Sequence, residues 1–450
     1  MTTALPLAAP LSPPPALPGP PLVGHALQFL RDPIELLERG HREKGNLFAF
    51  RLGGRAAVAL VGPEHNRFFF EETDRRLSIR TAYPFFVSMF SARTYFFAEP
   101  AEYREQRNIV LPCFAGKKMA DYVGVMARET RAFMDHLGDQ GQFDLTPTLG
   151  PLVMNVAAAA FLGDDFRRRL GEEFFQTFRD FSAGMEVVFP LWLPLPHLLR
   201  SKRARRKIHA LLRQVIDGRR RQPLDPGDFL QTLVDARYSD GSPLPDEVII
   251  NLITVLVWAG HETTAGHVSW GLLDLLANPD YLTSVLADQR AVLGEHGEEL
   301  DGERVRRLPR MDWALKETER LHPVAYVLMR QANEDLELGG HLLKKGTLVF
   351  ASPALSHRLP SVWSEPARYD PERFSPARAE DRQPYSLIGF GGGVHRCAGV
   401  HFAYQEMKVI LTLLTQRFDL ELLDRDPRPV AGARTKWPGG PCRVRYRRRR

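Results

Sequence analysis

Three groups of residues combine types and spacings that can do chemistry. Cys397 lies in FGGGVHRCAG, residues 390–399, the densest glycine cluster of a chain with only three cysteines. A cysteine there can serve as a small hydrophobe, a nucleophile or a thiolate metal ligand. Glu262 and Thr263 lie in AGHETT, residues 259–264, next to the apolar run IINLITVLVW. An acid beside an alcohol in an apolar setting suits proton delivery. Glu317 and Arg320 in KETERLHP are spaced i, i+3, which on a helix brings them together.

The elements that must position these groups follow from the neighbouring sequence. After Cys397 comes AGVHFAYQEMKVILTLLTQRF, an amphipathic helical pattern, so the sulfur stands at a helix N-terminus where the dipole favours a thiolate. The preceding glycines let the backbone approach a flat ligand and turn N–H groups toward the sulfur. AGHETT falls inside the longest helical pattern, which starts after SPLPDE with Asp246 as N-cap and stops at Asn278 and Pro279. Roughly 30 residues at 1.5 Å each make it about 45 Å long, apolar enough to cross the middle of the molecule. Gly260 within it costs about 1 kcal/mol relative to Ala. LFAFRLGGRAAVALVG and LELGGHLLKKGTLVFAS read as β-hairpins.

Each feature has a plainer explanation. Cys397 can be a buried cysteine in a glycine-rich turn, or join His395 and His401 in a zinc site, which would lack both a paired CxxC and a fourth ligand. Glu317 and Arg320 can be a wet surface pair, and Gly260 can simply let another helix pack close.

Composition sets the frame. The chain has 450 residues, 44% hydrophobic, enough to bury a large core. Its net charge of +6 is interspersed along the sequence and accompanied by no nucleic-acid motif, so nucleic acid is not an expected partner. Cys113, Cys397 and Cys442 are too few and scattered for a disulfide framework, which points to a reducing, cytoplasmic setting. Prolines break every apolar run of the arm MTTALPLAAPLSPPPALPGPPLVGH, and VIINLITVLVWAG stops at His261 and Glu262, so neither a signal nor a membrane-spanning segment is expected.

Phe390, Gly393, Cys397 and Gly399 fit the FxxGxxxCxG loop of the cytochrome P-450 family, and the chain resembles that family along nearly its whole length. Glu317 and Arg320 match its ExxR pair, Arg373 in YDPERF its third partner, and AGHETT its oxygen-activating segment. The resemblance implies a mainly α fold with a small β lobe and a long central helix over haem b. It divides the chain into an arm (1–24), one haem-thiolate monooxygenase domain (25–446) and a basic tail (447–450). Cys397 would be the axial ligand, Ala259 and Gly260 would make room for dioxygen, and Glu262 and Thr263 would organise the proton-delivering water. Phe390, Gly391, Gly393, His395, Gly399, Arg330, Arg107, Tyr103 and Tyr83 would surround the cofactor. Tyr103 replaces the usual tryptophan of the WxxxR pattern ending at Arg107. Glu317, Arg320 and Arg373 would form a buried structural network.

Within the family the chain looks like the sterol 14-alpha-demethylase branch, with two departures. Glu262 stands where that branch has a second histidine, and SMFSARTYFF replaces its proline and Phe-Gly pattern. Phe85, Phe86, Met89, Phe90, Phe96, Phe97, Trp258 and Val327 are the expected substrate wall, and MEVVFPLWLPLPHLLRSKRARRK the expected lid. No flavin or iron-sulfur segment remains, so the resemblance implies electrons from a ferredoxin or flavodoxin with its NAD(P)H reductase, docking near Arg396 and Lys408. The expected reaction inserts one atom of dioxygen into a hydrophobic terpenoid, steroid or other polycyclic lipid-like substrate. The alternatives are a sterol 14-alpha-demethylase and, from another class, a haem sensor or carrier without turnover.

Overall fold

The computed structural model describes residues 11–185, 193–224, 228–294, 300–424, 427–433 and 435–449. Arm residues 1–10, the lid stretch 186–192 and Arg450 lie outside the described residues.

The architecture is helical with a small β lobe. The longest helix, Asp246–Ala277, is the central helix. It is buried nearly all round on both sides of the half-buried stretch 258–263, the signature of a core helix with no wet stripe. Asp246 is its first residue and not its cap: the Pro245 carbonyl accepts the amides of Val248 and Ile249, and the Asp246 carboxylate pairs with Arg220 instead. Asn278 and Pro279 do end it. The helix Leu145–Leu162 packs beside it, with His261 Nε2 3.2 Å from the Gly150 carbonyl. Both helices are long and apolar enough to cross a membrane, yet 72% and 61% of their apolar windows are buried inside the protein.

The β lobe is a five-stranded sheet in the order 47–52, 55–60, 348–351, 328–332, 77–78. The first two strands form the expected hairpin, with Leu47 opposite Leu60. The second expected hairpin splits. Leu336–Leu338 and His341–Leu343 pair as a small ribbon, while Leu348–Ala351 leaves it to lie parallel to Arg55–Leu60. Alternation explains that choice: Leu348 and Phe350 pack with Ala57 and Ala59 on one face, Val349 and Ala351 with Val58 and Leu60 on the other. A separate sheet joins Gln140–Asp144, Arg443–Arg448 and Phe418–Leu422. Its middle strand runs through Arg448, past the 446/447 boundary, and Leu17 of the arm is buried and bonded to Ala49.

Candidate active site

Cys397 is delivered by the loop that immediately precedes the helix Val400–Arg417, whose N-cap is Gly399. The loop folds on itself: Gly391 N–H donates to Ile388 O at 2.9 Å and Cys397 N–H to Phe390 O at 2.9 Å. Gly391 and Gly393 have φ of +72° and +60°, conformations that a side chain would strain. A Cβ at Gly393 would also stand 3.0 Å from the Phe70 carbonyl.

The cysteine side chain is exposed, but onto an interior cavity of about 940 Å³ that it helps to line. Burial in the protein pushes its thiol up, opposed by the Gly399 amide and by Arg107 and Arg396. A metal cation at the sulfur would reverse that balance, since thiolate is the ligating form. Phe390, Gly391, His395 and Gly399 line the same cavity, while Gly393 does not.

The central helix contributes Trp258, Ala259, Gly260, Glu262 and Thr263 to the cavity wall. A Cβ at Gly260 would meet nothing within 4 Å, so this glycine leaves open space. Thr263 Oγ1 donates to Ala259 O at 2.6 Å, bending a side-chain bond back onto the helix carbonyl. Glu262 Oε2 lies 3.5 Å from Thr435 Oγ1 on the neighbouring C-terminal segment.

A basic rim borders the cavity. Arg330 is buried, lies 4.7 Å over the Phe69 ring and donates from Nε to Thr73 Oγ1 at 3.0 Å. Burial pulls it down to about 10, and among the described residues no carboxylate lies within salt-bridge distance of it. A buried cation with no carboxylate in direct contact, lining a cavity, suits an anionic ligand group. His395 Nε2 contacts Asp74 Oδ2 at 2.7 Å, and its ring stacks on Tyr103 at 4.1 Å. Tyr103 donates its hydroxyl proton to Val394 O and accepts from Arg107, which also bonds Arg396 O. Arg107 is therefore held behind the cysteine loop and does not line the cavity. Tyr83 does, and its hydroxyl oxygen accepts the Met329 amide.

Beneath the loop, Glu317, Arg320 and Arg373 are fully buried together. Arg320 grips Glu317 through two bonds of 2.7 and 2.8 Å, and Arg373 Nε reaches both carboxylate oxygens at 3.1 Å. Glu380 supplies the second negative charge, 2.7 Å from Arg373. The surface-pair explanation fails on burial.

Of the expected substrate wall, Phe85, Phe86, Phe96, Trp258 and Val327 line the cavity. Met89, Phe90 and Phe97 do not. They face the core, where Phe90 meets Phe181 and Trp258 at 5.4 and 5.6 Å, and they back the wall instead. Lys408 is also corrected: it is buried, 2.6 Å from Asp312, and offers no surface charge to a partner. Among the described residues no group of three His, Cys, Asp or Glu side chains is placed to hold a metal, so His395, Cys397 and His401 make no zinc site.

Residues that the motifs did not single out also line the cavity: Glu319, His267, Glu406 and Tyr95. Glu319 accepts from Tyr404 OH, and burial raises its carboxyl to about 7. It sits inside the ExxR motif, where a charged residue between two charged partners gave no sign of facing the other way.

A cytochrome P450 family model matches residues 13–434. The chain is similar to a sterol 14-demethylase of Arabidopsis thaliana, 31% identical over 440 residues, covering 96% of this chain and 90% of the relative. It is similar to a sterol 14alpha-demethylase of Mycolicibacterium vanbaalenii, 32% identical over 437 residues, covering 95% and 96%. The structure of retinoic acid-bound cyanobacterial CYP120A1 superimposes with a TM-score of 0.88 at 27% identity, covering 98% of this chain and all of that one. With a thiol and an acid–alcohol pair lining one apolar cavity and these likenesses spanning nearly its whole length, the chain belongs to the cytochrome P450 family.

Proposed function

We propose that this P450 monooxygenase oxidises a steroid, terpenoid or other polycyclic lipid-like molecule, with Cys397 as the residue that would hold haem b through its sulfur. The observation that carries the reading is that Cys397 and the Glu262–Thr263 pair line the same largely apolar cavity. When bound, haem b would supply reductive activation of dioxygen and oxidation of an unactivated C–H bond, which a thiolate ligand favours.

The chain's own residues supply the rest. Cys397 Sγ holds the metal as a thiolate, steadied by the Gly399 amide. Arg330 and His395 bind the cofactor's carboxylates, and Arg107 and Tyr103 hold the loop that carries His395. Gly260 leaves room for dioxygen. Thr263 and Glu262 hold the proton-delivering water, with the Thr263 hydroxyl exchanging its bond to Ala259 O for one to that water. Phe85, Phe86, Phe96, Trp258 and Val327 keep bulk water out and shape the substrate site.

The substrate class rests on the apolar lining and on what the similar proteins are named for: sterol demethylation and bound retinoic acid, an isoprenoid. Electrons come from a separate ferredoxin or flavodoxin with its NAD(P)H reductase, docking on the cysteine side near exposed Arg396. A cytoplasmic setting fits two apolar helices largely buried in the core.

The reduced, carbon monoxide-bound spectrum tests the ligand. A red-shifted Soret band in the wild type, lost in Cys397→His, supports it; a histidine-type band in folded wild type refutes it. Sterol 14-demethylation is the second reading, favoured by the named relatives. Lanosterol-type sterols that shift the haem spectrum and then release formate on turnover would establish it, whereas a single hydroxylated product from another ligand supports the first.

A further inference from the structure

Two consecutive residues, Thr73 and Asp74, each hold one member of the basic rim. Thr73 Oγ1 donates to Phe69 O at 2.8 Å and accepts Arg330 Nε at 3.0 Å, while Arg330 rests on the Phe69 ring. Asp74 Oδ2 lies 2.7 Å from His395 Nε2, the two side chains only 16% and 5% exposed. Asp74 adopts φ +68°, a left-handed conformation that Asp and Asn tolerate better than other side chains, and its amide donates to Leu77 O at 2.8 Å. The corner just after the helix Pro63–Glu71 thus grips two side chains from different parts of the chain, Arg330 in a sheet strand and His395 in the cysteine loop.

A long arginine can take many rotamers, and an imidazole can flip. Arg330 is tethered by the Thr73 hydroxyl and the Phe69 ring. The His395 ring is clamped between the Asp74 carboxylate at Nε2 and the flat face of Tyr103, leaving Nδ1 without a protein hydrogen bond. Asp74 also supplies negative charge near the buried Arg330 guanidinium.

We propose that the Thr73–Asp74 corner is the positioning element of the haem-carboxylate site, presetting Arg330 and His395 so that the cofactor is held without reorganising the rim. The inference rests on the reading of Arg330 and His395 as carboxylate partners. It makes Thr73 and Asp74 positioning residues that act through those two side chains.

Haem transfer from the purified holoprotein to an excess of a haem-scavenging apoglobin tests it, with the thermal midpoint of each apoprotein measured alongside. Asp74→Asn keeps the left-handed backbone and a hydrogen-bond acceptor but removes the charge, and Asp74→Gly keeps the backbone and removes the side chain. Thr73→Val removes the hydroxyl and Thr73→Ser retains it. The expected result is roughly 10-fold faster haem loss for Asp74→Gly and Thr73→Val, an intermediate rate for Asp74→Asn, rescue by Thr73→Ser, and apoprotein midpoints close to wild type. Wild-type haem retention in Asp74→Gly and Thr73→Val, or rates that merely follow a falling apoprotein midpoint, overturns the proposal. Arg330→Ala separates the two layers: fast loss there with none in the corner variants sinks only the positioning role, whereas no effect of Arg330→Ala sinks the carboxylate reading beneath it.

Discussion

At the scale of residues, the site joins groups whose surroundings hold them in unlike states. Thr263 donates to Ala259 O in the resting arrangement, so its hydroxyl is poised at the cavity wall without being free to wander. Thr263→Ala should lower product formation by on the order of 100-fold, the low end of general acid–base contributions. Reduced cofactor should still be consumed, with the electrons recovered as peroxide. Unchanged coupling of electrons to product would exclude the proton-delivery role. Glu319 tests burial directly. Its carboxyl is raised to about 7 from an ordinary 4.5, so the unfolded chain releases that proton first as pH rises. The contribution of this one carboxyl is fully present below pH 4.5, falls between 4.5 and 7, and is about 3 kcal/mol smaller above that window. Glu319→Gln, which retains an acceptor for Tyr404 OH, should flatten this dependence in denaturant titrations at pH 5 and pH 8.

At the scale of elements, the cysteine loop and the helix beneath it are held by charge and by backbone conformation. Arg320 donates to three main-chain carbonyls, of His357, Pro366 and Arg368, besides its bonds to Glu317. One helix thereby grips the chain segment that leads to the cysteine. Arg320→Leu leaves Glu317 facing Arg373 alone in a dry site, and a loss of about 3 to 5 kcal/mol is expected in denaturant unfolding. A loss under 1 kcal/mol would mean that the network contributes little. Gly391→Ala forces a side chain into φ +72°, costing about 1 to 2 kcal/mol. The strain falls within the loop, so the reduced carbon monoxide spectrum should show a larger inactive, non-thiolate fraction while the far-ultraviolet circular dichroism of the helices is retained.

At the scale of the whole molecule, the sheet lobe and the helical body enclose one cavity between them, and the electron donor must approach from outside. Arg396 is exposed in the cysteine loop, whereas Lys408 is buried against Asp312. Arg396→Glu should slow reduction by an acidic ferredoxin and weaken its salt dependence, since complementary charge acts mainly on encounter. Measured by stopped-flow reduction at low and high ionic strength, an unchanged rate would place the docking face elsewhere.

Local pattern was enough to reveal the chemistry and the main supports. Cys397 before a helical run, the acid–alcohol pair on a long apolar helix, and the i, i+3 pair Glu317 and Arg320 are short-range features, because spacing along a chain survives folding unchanged; Arg373, 56 residues from Glu317, is legible only through the family resemblance. The end of the central helix at Asn278 and Pro279 was legible for the same reason: proline blocks helix continuation whatever surrounds it. What tertiary structure alone decided was direction and partnership. Phe86 and Phe90 sit one helical turn apart, yet Phe86 faces the cavity and Phe90 the core, where Phe181 packs against it. Lys408, expected on the docking side, is buried by the packing of distant segments, and so is Glu319, which the motifs do not single out. The meeting of Thr73 with Arg330 and of Asp74 with His395 spans 257 and 321 residues. No periodicity carries information over such a distance; only the packing of the sheet lobe against the cysteine loop does.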